Sequence, residues 1–160
     1  MLCGANLVEA NLSQAVLTGA NLIGTNLKKA ILYRASLQLV NLSQAILTEA
    51  DLREANLSEA LLYKTSLPKA QLPRAVLRQA ILQRAYLHGA NLSQATFLEA
   101  NLQEANLTNA DLSGVNLRGA NLEAAFLVEA NLFQASVEGA NLNRTILTGA
   151  IMPDGTIYKY

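Results

Sequence analysis

Leucine or a close substitute stands at residue 2 and at every fifth residue through Leu147, then Met152 and Ile157, with Phe97 and Val137 the other departures. Two residues before each centre is a second small position, held by Ala from Ala5 to Ala150 except at Thr25, Val40, Thr65, Val115 and Thr145. The register never slips. A period of five suits neither standard element. On a helix, successive centres would step by about 140° and scatter around the cylinder. On a flat strand an odd period sends them to alternate faces. All centres point inward only if the chain turns about 90° after each unit, so that four units close a square coil.

Glycine and proline locate the corners. Eight of the nine glycines fall two residues after a centre, and the three prolines, Pro68, Pro73 and Pro153, fall one after it. A four-residue turn that starts at the centre has these as its second and third positions, which is the type II preference. Many third positions are not glycine, which predicts a mixture of turn types. With 20 residues per coil, each residue lies over the one 20 earlier at about 4.8 Å, giving about eight coils in a rod about 38 Å long. Residues 1–152 are expected to form the solenoid. Residues 153–160 are expected to be a degenerate last repeat and cap, with Ile157, Tyr158 and Tyr160 folding over the last coil.

The tandem A(N/D)LXX pattern, as in ANLSQ, ADLRE and ANLTN, resembles the pentapeptide-repeat family over essentially the whole chain. The resemblance implies a right-handed quadrilateral parallel β-helix. The spacing is not that of leucine-rich repeats, which need about 20 to 29 residues and unequal Leu intervals. One branch of the family, the fluoroquinolone-resistance proteins, binds DNA gyrase by imitating DNA. Those members are acidic rods that favour Phe at many centres and dimerise through an added C-terminal segment. This chain has 12 basic and 12 acidic residues and Phe at one centre. Its tail MPDGTIY resembles the ends of cyanobacterial members, many without an established role.

Little here points to chemistry. A triad or metal site needs several converging groups, and the chain has one His and one Cys. His88 and Cys3 fall more than four coils apart in the square-coil register. Asp51 with Glu49 or Glu54 is the closest carboxylate grouping, on a flat face without a water-excluding pocket. No catalytic, metal or cofactor site is assigned, and the Asn residues before the centres are expected to bond local backbone and neighbouring coils. Neutral charge gives no reason to expect direct nucleic-acid or membrane binding. A lone Cys and the lack of an apolar leader or spanning run suggest the cytoplasm.

The register turns linear charge into columns. Glu9, Lys29, Glu49 and Lys69 share one column and Arg34, Glu54 and Arg74 another, predicting alternating-sign ladders. Arg84 and Glu104 begin a third, above Lys64. Outward apolar residues mark a candidate partner surface: Ile46, Tyr86, Phe126, Val128 and Ile146 on one side, and Leu61, Tyr63 and Ile81 on the adjoining side. The expected function is a non-enzymatic scaffold or protein-binding module. Alternatives are a DNA-mimicking regulator of an enzyme such as gyrase, or a repeat segment of a larger protein. The first coil, lacking a capping helix, suggests a homodimer contact at the N-terminal end.

Overall fold

The computed structural model describes residues 2–159. Parallel bridges join residues 20 apart without interruption, from Asn6 with Asn26 to Asn131 with Ile151. The chain is a four-sided parallel β-helix with 20 residues per coil, and no α-helix occurs among the described residues. In each five-residue unit the small position and the centre face inward. The residue between them, here called the shoulder, faces outward, followed by the first and second corner residues.

Burial follows this division. From Leu22 to Leu132 the centres are at most 2% exposed, Phe97 among them. In the first coil, Leu7, Leu12 and Leu17 are only partly buried, because no described coil lies beneath them.

Four backbone amides per unit have fixed partners. Leu7 N donates upward to Asn26 O (2.7 Å) and Glu9 N to Lys28 O (2.9 Å), Asn26 N donates downward to Ala5 O (2.9 Å), and Ala10 N closes the corner on Leu7 O (3.1 Å). The pattern repeats up the rod, satisfying the main-chain polar groups that a stacked coil would otherwise bury. The fifth amide, on the first corner residue, has no backbone acceptor in this scheme.

That amide explains the shoulder Asn. All fifteen Asn and Asp shoulders accept it through Oδ1, from Asn6 with Val8 (3.2 Å) to Asn141 with Asn143 (3.1 Å). Bonds between shoulders of successive coils, such as Asn141 Nδ2 to Asn121 Oδ1 at 3.0 Å, are few. Ser66 and Gln71, in the stretch TSLPKAQLPRA, precede Pro68 and Pro73, which have no N–H to satisfy. There the proline removes the donor that Asn would meet.

The corners correct one expectation. At every corner from Gly4 to Gly149 the second corner residue has positive φ, between +53° and +73°, and 22 of these residues are not glycine. One turn, with the φ signature of type II, recurs throughout in place of a mixture. Stacking forces this uniformity, because a corner of another shape would break register with the coils above and below. The last corner differs. Asp154 Oδ1 accepts Thr156 N (2.9 Å), and Gly155, at φ +85°, donates to Met152 O (2.9 Å). The chain then reverses, pairing Ile157 antiparallel to Ile151, with Tyr158 N on Ala150 O at 2.8 Å. Ile157 and Tyr158 therefore lie along the upper edge of the last coil; Tyr160 is outside the described residues.

Candidate partner surface

The shoulder column of one side runs Ile46, Ser66, Tyr86, Asn106, Phe126, Ile146. The adjoining side stacks Leu61 directly beneath Ile81. Ile46, Tyr86, Phe126, Ile146, Leu61 and Ile81 are all exposed, Tyr86 most at 53%, while Tyr63 and Val128 are half-buried. The residues do not form one uniform patch. Ser66 separates Ile46 from Tyr86, and Asn106 separates Tyr86 from Phe126.

The second interruption is a depression of about 460 Å³. Tyr86 and Phe126 are its walls, Asn106 and Thr108 its floor. Its corner side is the column Lys64, Arg84, Glu104, where Ala124 leaves a gap next to Phe126. Short side chains at Asn106 and Ala124 between long neighbours make the hollow. Sequence reasoning picked out the two walls by their apolar character. It missed the floor, whose signal is a short residue one rung from an aromatic on each side.

The bordering corner is polar and partly self-matched. Arg84 Nε donates to Glu104 Oε2 at 2.7 Å, and this bond holds the Glu104 carboxyl below its ordinary range. Arg84 and Lys64 both bear on the Tyr63 hydroxyl and lower its pKa, and the Lys64 ammonium lies 5.3 Å from the Tyr63 ring centroid. Among the described residues no carboxylate pairs with Lys64.

The predicted charge ladders form only in part. Lys29 approaches Glu49 (4.0 Å) and Arg34 binds Glu54 (2.7 Å), but no ion pair joins Glu9 to Lys29, Lys69 to Glu49 or Arg74 to Glu54 among the described residues. Arg74 donates instead to Gln94 (3.0 Å), and Gln79 to Glu99 (2.7 Å). Along the second-corner columns the donor always sits one coil below its acceptor. Lys69 and Arg74 therefore sit above acids, Glu49 and Glu54, that are already engaged from beneath. The Glu49–Lys69 and Glu54–Arg74 rungs of the predicted ladders are thus not formed as ion pairs among the described residues.

His88 and Cys3 are both exposed, on different coils. Among the described residues no three His, Cys, Asp or Glu side chains gather closely enough to hold a metal ion. No helix among them is long and apolar enough to cross a membrane.

Known proteins match this geometry closely. A family model described as pentapeptide repeats matches in eight copies, over residues 2–34, 35–72, 55–94, 70–109, 80–119 and 110–149. No curated protein matches. Among solved structures, HetL, a pentapeptide repeat protein involved in heterocyst differentiation regulation from the cyanobacterium Nostoc sp. strain PCC 7120, is 36% identical, with a TM-score of 0.78 over 96% of this chain and 79% of that one. A pentapeptide repeat protein from the Arabidopsis thaliana thylakoid lumen is 31% identical over 58% of this chain and 65% of its own, with a TM-score of 0.54. QnrB1, a plasmid-mediated fluoroquinolone resistance protein, shares the fold (TM-score 0.65 over 90% of this chain and 84% of that one) at 17% identity. The chain belongs to the pentapeptide repeat family, and its rod is a right-handed quadrilateral β-helix.

Proposed function

We propose that this protein is a non-enzymatic binding module of the cytoplasm whose partner is another protein. The observation that carries the reading is the column of exposed apolar shoulders on one side, Ile46, Tyr86, Phe126 and Ile146, with Leu61 and Ile81 stacked on the adjoining side. Such residues have no part in the core, which the inward Leu and Ala columns already fill. A rod whose main chain is hydrogen-bonded from coil to coil presents its side chains at fixed spacing, so little ordering entropy is lost on docking. The similarity to HetL, a protein involved in differentiation regulation, supports a regulatory setting.

The test is capture of protein from the source cell by the full chain and by a variant carrying Ile81→Asn, Tyr86→Asn and Phe126→Asn. These shoulders take Asn elsewhere in the rod, so the variant keeps its fold. A partner held by the wild type and lost by the variant supports the reading. Capture that the variant retains, or none by either, counts against it. A gyrase supercoiling assay with the purified chain is expected to show no inhibition, since its balanced charge gives no polyanion for gyrase to mistake for DNA.

A further inference from the structure

From the hollow between Tyr86 and Phe126 we infer a receptor slot for one aromatic side chain of a partner peptide, with a carboxylate next to that ring. The inference rests on the protein-binding reading and specifies its site and ligand class.

The spacing selects the ring. Tyr86 bridges to Asn106 and Asn106 to Phe126, so the two aromatic shoulders are two rungs apart, about 9.6 Å at the usual strand spacing. A ring entering at the Asn106 level lies about 4.8 Å from each, within the roughly 4.5–7 Å at which aromatic pairs attract. A visiting side chain thus completes a ladder the protein leaves open. Ala124 gives the entrant room beside Phe126, and the hollow's volume of about 460 Å³ holds more than one side chain.

Charge selects the neighbour. Arg84 is occupied by Glu104, whereas Lys64 lines the same hollow beside the Tyr63 ring and hydroxyl and pairs with no carboxylate among the described residues. The unmatched charge at the mouth is therefore positive. Asn106 uses Oδ1 to accept Thr108 N (3.0 Å), while its amide nitrogen donates to no described residue and is a second donor for an anion. A carboxylate one or two residues from the ring meets both, whereas a basic residue there meets Lys64.

The test uses a synthetic peptide, acetyl-Glu-Glu-Phe-Gly-amide, titrated into the full chain while NMR follows the Tyr86 and Phe126 rings and the Asn106 side-chain amide. A saturable shift confined to these groups is expected, about threefold to tenfold weaker for the Lys-Lys-Phe analogue and lost for Glu-Glu-Ala. Asn106→Phe fills the open rung with a residue that the next shoulder, Phe126, already shows the fold accepts, and should weaken binding about tenfold or more. Absence of a saturable shift, equal binding of the Lys analogue, or binding untouched by Asn106→Phe overturns the inference. If the full chain captures a protein partner that Asn106→Phe retains, the general protein-binding reading stands and the slot does not.

Discussion

The inside and the outside of this rod obey different rules. Inward, thirty units repeat two residue types with few exceptions, and the exceptions are accommodated individually. Thr25, Thr65 and Thr145 replace Ala in one column, and each hydroxyl donates to the carbonyl of a centre in the coil below, at 2.8, 2.8 and 2.9 Å. Outward, the same backbone carries Asn, Ile, Tyr, Gln or Arg with little effect on its path. The inside sets the fold through burial, and the outside is free to specify a partner except where the corner backbone restricts it. Four comparisons test that division, beginning on the inside.

Leu72→Lys places an ammonium where the leucine is 1% exposed, with no carboxylate to meet it. The loss should be about 3 kcal/mol or more, read as a fall in the urea midpoint or as failure to fold. Gln79→Lys, on the outside and able to reach Glu99 as Gln79 does, should lie within about 0.5 kcal/mol of wild type. Equal tolerance of the two would abolish the distinction between the faces.

The next test concerns the one outward position that is not free. Gln79 sits at φ +55°, and a β-branched side chain in that region is a steric outlier. Gln79→Val should cost about 1–2 kcal/mol, while Arg78→Val at the first corner should cost almost nothing. Gln79→Leu separates backbone shape from the lost bond to Glu99, since Leu39 already holds this conformation at φ +57°. A penalty for Leu equal to that for Val would move the cause from the backbone to the hydrogen bond.

The inward half of this architecture was plain in the sequence because a strict period of five leaves a closed coil as the only way to bury every centre. The outward half was legible in places. The second corner position never carries Val, Ile or Thr, whereas the first corner holds Val8, Ile23, Thr48 and Val128. That exclusion marks positive φ at the corners from Gly4 to Gly149, yet counting glycines alone suggests mixed turns. Ser66 and Gln71 before proline likewise show what Asn does elsewhere, once the first-corner amide is seen to lack a backbone acceptor. For the candidate surface, the register supplied the columns and their rungs. Which cation meets which acid was not legible, because it depends on the upward lean of the second-corner side chains. The hollow between Tyr86 and Phe126 requires actual side-chain lengths as well as positions.

Shoulder Asn gives a smaller contrast. Thr96→Asn supplies an acceptor for Leu98 N and should stabilise by about 0.5–1 kcal/mol. Gln71→Asn should gain nothing, because Pro73 has no N–H. Urea midpoints of the two variants in parallel decide the matter. An equal gain would mean that Asn acts through propensity or contacts between coils, and that its bond to the first-corner amide is incidental.

The smallest effect belongs to surface charge. Arg53 binds Asp51 through two nitrogens at 2.8 and 2.7 Å, and these bonds hold the Asp51 carboxyl below its ordinary range. A carboxyl depressed in the folded state stabilises it above the unfolded pKa of about 3.9, and that contribution fades as pH falls through the lower folded value. Asp51→Asn preserves an acceptor for the Arg53 amide and removes only the charge. The variant should be weaker than wild type by about 0.5 kcal/mol or less at neutral pH, and the gap should close in acid. Two features keep the effect small. The Arg53 side chain is 57% exposed, so water competes for the pair, and the two residues are close enough in sequence to attract each other in the unfolded chain. Urea midpoints of both proteins across the acid range check the sign. A gap that persists below the folded pKa would assign the loss to altered corner geometry, making this outward charge part of the scaffold and narrowing the freedom of the outer face.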